Sequence, residues 1–264
     1  MTSADDVATG AASGQDAVRI VPLAVPGDLL RPLAMAVPTA PARLTYRGGP
    51  LLTSVEVFVV YWGQEWASQP LADTASRVDE FFDTMLGGDL LDQLAEYSVE
   101  GQQIGHGRRI GRAVVRAPVP GPVVTDAGLQ QMLRDQLGTN GSFPAVDPNT
   151  LLFVYLPPGS AVVQGGSRSC QAFCGYHNVM DADVYYAVMP YPGCQGCTGT
   201  LSAFDALTSV SSHELCEAVT DPVPGQGWYD DAQGEIGDIC AWQTRVLDGY
   251  TVQREWSNSS SRCL

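Results

Sequence analysis

The chain contains no lysine; all 14 of its basic residues are arginine. That excludes lysine Schiff-base chemistry and any phosphate loop built around a lysine. Histidine is scarce, with only His106, His177 and His213 present. No cysteine occurs before Cys170. No stretch approaches 18 apolar residues, so no membrane-spanning helix is expected. Positive charge is also short. The net charge is -15 and no basic patch stands out, which argues against nucleic acid or an anionic membrane as partner. The opening MTSADDVATG lacks the basic and apolar regions of a signal peptide, so none is visible.

What is there reads as globular. Of the 264 residues, 45% are hydrophobic and 16% charged. That suits one large domain, or a domain with an arm. The acidic excess is compatible with cation binding, although such charge is more often a solvated surface. Residues 1–50 are rich in Ala, Pro, Gly and Val without sustained periodicity. They are expected to form a flexible arm or pro-segment ahead of a catalytic domain over 51–264.

Seven cysteines fall between Cys170 and Cys263, which points to disulfides and an oxidising compartment. Cys170, Cys174, Cys194 and Cys197 allow two readings: a structural zinc site, with His177 able to replace one thiolate, or two disulfides. Disulfides are preferred, with Cys240 and Cys263 as a third bridge; the pairing among the first four does not follow from spacing. Cys216 is left over as a buried packing thiol.

Within 51–264 strands alternate with helices. Residues 54–61 form a β-branched and aromatic run that reads as a buried strand. Helical spacing covers 70–86 and 90–97. Residues 110–116 read as a strand, and Thr125 caps a helix through Leu137. Strands follow at 151–156 and 183–189, with Gly- and Cys-containing loops between and after them. A helix is expected over 202–220, and strand-like character returns at 250–256. The order implies an α/β fold with a mixed, mostly parallel sheet, as in zincin catalytic domains. In such a domain residues 183–189 would form the edge of the cleft.

The helix over 202–220 carries SSHELCEAVTDP at 211–222. A bare H-E-x-x-E is more often a solvated helix face than a site. Here, however, the neighbours Ser211, Ser212, Cys216 and Ala218 are small, so this is no ordinary charged stripe. Positions i and i+4 share a helix face, so His213 and Glu217 can reach one ion. Imidazole and carboxylate are both ordinary zinc ligands. Glu214 is placed to take a proton from an activated water. A third ligand is expected downstream in GEIGDIC, with Glu235 as ligand and Asp238 as its orienting partner, or the two exchanged. His177 is an alternative ligand, while His106 reads as a surface residue. One zinc ion is expected, and another divalent metal would also suit the set.

FCGYH at 173–177, SHELCEAVTDP, GWYDDAQGEIGDIC at 227–240, VQREWSN at 252–258 and GGPLLTSVEVFVVYWG at 48–63 together resemble the EXORDIUM (phosphate-induced) family and its bacterial and fungal relatives. The match spans about residues 45–264. It implies a secreted or cell-surface protein; many members lack the His-Glu pair, so membership alone implies no catalysis. The similarity to gluzincin-like peptidases is more distant and departs at Glu217, where they have histidine. The expected function is a zinc-dependent hydrolase, a metallopeptidase with Glu214 as general base and a peptide or protein substrate lying along 183–189. One of Tyr185, Tyr186, Tyr191 or Tyr229 would stabilise the oxyanion. The rival readings are a non-catalytic extracellular binding module using Trp228, Tyr229 and Trp242, and a metal enzyme of specialised metabolism.

Overall fold

The computed structural model describes residues 20–22 and 41–264, apart from Asn140. The fold is mixed α/β, built on a six-stranded sheet. Its strands are β1 (Ile20–Pro22), β2 (Glu56–Trp62), β3 (Arg108–Val115), β4 (Thr150–Tyr155), β5 (Phe173–Met180) and β6 (Val184–Met189), in the spatial order β1-β5-β6-β4-β2-β3. From β6 across to β3 every pairing is parallel, and β5 runs antiparallel to both its neighbours.

Helices cover both faces, which is why β2 and β4 read as continuous apolar runs rather than alternating ones. On one face lie α1 (Leu71–Met85), α2 (Asp89–Leu94) and α4 (Ala203–Thr220), packed on Val57, Val59, Tyr61, Phe153, Tyr155 and Ala187. On the other, α3 (Asp126–Leu137) buries Leu129, Met132 and Leu133 against Phe58, Val60, Leu152 and Val154. The cap expected at Thr125 is present, and Ser202 supplies a second. Thr125 accepts the Gly128 N–H at 3.1 Å, and Ser202 accepts the Asp205 N–H at 3.1 Å, satisfying amides that the first helical turn leaves free.

Helix α4 is covered on every side from Ala206 to Thr220. Beyond the sheet, its second neighbour is the hairpin β7 (Thr244–Leu247) and β8 (Tyr250–Gln253). Small hydroxyl residues make that close approach possible: Thr208 donates to Thr251 O at 2.7 Å, and Gln253 N donates to Ser212 Oγ at 2.9 Å.

One expectation is overturned. Residues 183–189 do not form the sheet edge, because β6 lies between β4 and β5. The missing strand is β5, whose sequence FCGYHNVM reads as loop because Cys, Gly, His and Asn dilute its strand character. The outer edge of β5 is itself paired by β1, with Ile20 opposite Tyr176 and Pro22 opposite Phe173. The fold also begins before Leu51. Leu44 is buried, its backbone N–H and C=O both bonded to the Asn258 side chain, and Thr45–Tyr46 pairs with Trp228–Tyr229. Residues 1–19 and 23–40 of the expected arm lie outside the described residues.

Three disulfides join Cys170 to Cys194, Cys174 to Cys197 and Cys240 to Cys263, leaving Cys216 free and buried. They fit an oxidising compartment. Among the described residues no helix is long and apolar enough to cross a membrane.

Candidate metal centre

Three elements meet beneath β5. Helix α4 supplies His213, Glu214 and Glu217. Strand β5 supplies His177, held by register opposite Ala187 of β6. The chain beyond α4 supplies the rest. It turns at once, because the Asp221 carboxylate accepts backbone N–H groups from Gly225, Gln226 and Gly227. It then returns through Glu235 to the short helical turn Asp238–Cys240. There the Asp238 N–H donates to Glu217 Oε1 at 3.2 Å, and Asp238 Oδ2 accepts the Glu235 N–H at 3.2 Å. Glu255, just past β8, completes the group.

His177, His213, Glu214, Glu217, Glu235 and Glu255 are each at most 1% exposed. Lone ionised carboxylates in such a place are costly unless paired or bound to a cation. His177 Nδ1 stands 3.2 Å from Glu214 Oε2 and 3.6 Å from Glu217 Oε2. His213 Nε2 stands 2.9 Å from Glu217 Oε1, yet the pair lacks hydrogen-bond geometry, and neither ring nitrogen of His213 has a partner. Glu214 Oε1, Glu217 Oε2 and both oxygens of Glu235 and of Glu255 are also unpartnered. Two donors about 2.0–2.2 Å from one tetrahedral ion sit roughly 3.3–3.6 Å apart. The separations around Glu217 lie near that range, so the residues fit a divalent ion in both chemistry and spacing.

The charges are strongly coupled. Burial pushes both imidazoles down, but the carboxylates around them outweigh it and hold them well above the usual histidine value; Glu235 acts most on His177, and Glu217 most on His213. Burial alone would raise Glu217, yet His213 and His177 bring it down to about 2. Glu214 is raised by burial and by Glu217, against the pull of His177. Glu235 is raised well above the usual carboxylate range by burial and then by Glu217. Burial likewise raises Glu255.

Two sets of donors emerge, each with its ligand atoms within 4.8 Å of one another: His177 with Glu214 and Glu217, and His213 with Glu217 and Asp238. Glu235 enters neither set. It approaches the far nitrogen of His177, Nε2, at 3.5 Å, where that nitrogen also faces Asp221 O at 3.1 Å. Of the two downstream carboxylates, then, Asp238 is the one set with His213 and Glu217. His106 is exposed and pairs with Asp92 at 2.8 Å, far from this chemistry. Cys170, Cys194 and Cys197 also cluster, but their sulfurs are in disulfides and offer no thiolate. Glu255 had no signal in the sequence: it is one acidic residue in VQREWSN, and only the fold buries it. Among the tyrosines, Tyr186 donates to Asp126 on the other face of the sheet.

Gly237 is the floor of the centre. A Cβ there would lie 2.8 Å from His213 Cγ and Nδ1 and 2.9 Å from Glu217 Oε1. Gly237→Ala is therefore expected to displace the imidazole and to cost about 1–3 kcal/mol. Thermal unfolding and zinc titration of the variant should show both a lower midpoint and weakened metal binding; an unaltered zinc affinity would separate the glycine from the site.

Comparison with family models gives no match, and neither a curated protein nor a solved structure matches the chain.

Proposed function

We propose that this protein is a metal-dependent hydrolase acting on peptides, with zinc as the ion its donors suit best. The observation that carries the reading is the convergence of buried imidazole and carboxylate atoms without hydrogen-bond partners along one face of the HELCE helix. His213, Glu217 and Asp238 are the ligands in this reading. A divalent ion held there supplies a Lewis acid that makes water acidic near neutral pH. Glu214 is the general base. Its Oε2 faces His177 Nδ1 at 3.2 Å, and its Oε1, without a hydrogen-bond partner, can take a proton from water and return it to the leaving amine nitrogen. The zincin-like arrangement and the kinship with the EXORDIUM family belong to the same proposal.

The peptide class is supported by the sheet edge. Strand β5, which carries His177, accepts an extended segment of this same chain antiparallel along its outer side, and Trp242 Nε1 fixes that segment by donating to Pro22 O at 2.8 Å. Backbone pairing of this kind is how extended peptides add to sheet edges. A substrate strand would take the place of Ile20–Pro22. The binding-module reading is weaker, because its aromatic residues are engaged inside the fold. Trp228 Nε1 donates to Tyr97 O at 2.6 Å and its ring packs on Tyr46 and Tyr97, while Tyr229 lies under Arg47 at 4.2 Å.

The test is hydrolysis of a mixed peptide library by the zinc-loaded full chain, beside Glu214→Gln. The variant should keep the ion held by His213 and Asp238 and lose turnover by about 10²–10⁴-fold. Full turnover in the variant would sink the base assignment. No cleavage of any peptide by the loaded wild type would sink the peptidase.

A further inference from the structure

We infer that Glu217 bridges two divalent cations, one held with His177 and Glu214, the other with His213 and Asp238. The inference rests on the metal-centre reading above and changes the number of ions and the part Glu214 plays.

The two oxygens of Glu217 face different histidines. Oε1 is the atom nearest His213 Nε2, at 2.9 Å, and Oε2 the atom nearest His177 Nδ1, at 3.6 Å. Donors on one ion at about 2.0–2.2 Å stand no more than roughly 4.4 Å apart. The two imidazoles fall in separate donor sets that share only Glu217. A carboxylate with one oxygen toward each of two ions is the usual bridge in dinuclear hydrolytic centres, whose ions lie about 3.5–4 Å apart.

His177 supplies an independent reason. Its Nε2 faces the carbonyl oxygen of Asp221 at 3.1 Å, and a carbonyl only accepts. Nε2 therefore carries the hydrogen, and in the neutral ring Nδ1 presents a lone pair. That lone pair points at two carboxylate oxygens, Glu214 Oε2 and Glu217 Oε2. Three acceptors facing one another inside a protein require a positive charge between them, either a proton or a metal ion. A backbone carbonyl on the opposite nitrogen is also the ordinary way a ligating histidine is oriented. The second set is comparable, since His213 is wholly buried and neither ring nitrogen makes a hydrogen bond, although Nε2 stands 2.9 Å from Glu217 Oε1.

In the two-ion centre Glu214 binds through Oε2 and keeps Oε1, unpartnered, as the proton acceptor.

The experiment is a zinc count on the full-length protein by elemental analysis and calorimetric titration. It is run on wild type, His177→Ala, His213→Ala and the double variant, with circular dichroism to confirm folding. Two equivalents in wild type, one in each single variant and none in the double variant is the expected pattern. One equivalent in wild type, kept by His177→Ala and lost by His213→Ala, would overturn the bridge and leave the one-ion hydrolase standing. No zinc in folded wild type would overturn both. The wild-type count decides between one ion and two even if a variant fails to fold.

Discussion

Glu217→Ala is expected to strip the protein of zinc, abolish hydrolysis and lower the unfolding midpoint by roughly 10 °C. Glu217 is the only residue common to both donor sets, so its removal leaves neither with enough ligands. It is also the counter-charge that faces both buried histidines, at 2.9 and 3.6 Å. Breaking a buried ion pair by deleting one partner costs about 3–5 kcal/mol, because the other partner stays in a medium that cannot solvate it. In a chain of this size each kcal/mol moves the midpoint by about 2–4 °C. Asp238→Ala removes a half-buried ligand from one set only, and should cost less by calorimetry while still weakening zinc. Equal midpoints for wild type and Glu217→Ala would mean that the centre contributes nothing to folding.

Removing the metal is expected to destabilise the protein, and by more at pH 8 than at pH 5.5. Zinc held at one hundred times its dissociation constant stabilises the fold by about 2.7 kcal/mol, roughly 5–10 °C of midpoint. The pH trend comes from what replaces the ion. In the metal-free protein both imidazoles have folded pKa values above their unfolded ones. Their protonated pairs therefore stabilise fully below about 6.5, and the benefit is lost as pH rises through the folded values. Glu214, Glu235 and Glu255 are raised as well, so ionising them inside the fold costs more as pH climbs above the usual carboxylate range. Glu217 runs the other way: its contribution is complete above the usual carboxylate range and is lost only as pH falls through about 2. The metal-free protein should thus weaken steadily from pH 5.5 to 8, whereas zinc, which displaces those protons, binds better over the same interval. Differential scanning calorimetry with and without chelator at several pH values reads the gap directly. A gap that narrows toward pH 8 would contradict the assignment of the buried cluster as the zinc site.

Much of the architecture was legible from local pattern. The helix over Ala203–Thr220 is legible from the spacing of Phe204, Leu207, Leu215 and Val219, and the i, i+4 spacing of His213 and Glu217 follows from helix geometry alone. The third disulfide, Cys240 to Cys263, is the one expected of the two cysteines left near the C-terminus. What was not legible is what depends on chain segments far apart. His177 reaches Glu214 because β5 pairs with β6 in one register, and β5 has too little strand character to be seen in isolation. The choice between Glu235 and Asp238 could not be made from distances of 18 and 21 residues along the chain. It depends on the turn that brings the Asp238 amide onto Glu217. The edge of the cleft was misplaced for the same reason, since the unseen strand β5 takes the place at the outer side of β6.

The disulfides bear on how the centre is assembled. Cys174 stands three residues before His177, and Cys240 two residues after Asp238. Each donor segment outside helix α4 is thus pinned close to its ligand, by a crosslink spanning only 23 residues of chain. With the thiols reduced, α4 would still offer His213, Glu214 and Glu217, but the strand carrying His177 and the turn carrying Asp238 would be less firmly held. Oxidation is therefore expected to precede metal loading, if the centre takes up an ion as proposed. A chain made in a reducing cytosol should fold its parallel sheet and yet bind zinc poorly until its cysteines are paired, so a zinc titration of reduced and oxidised protein should differ.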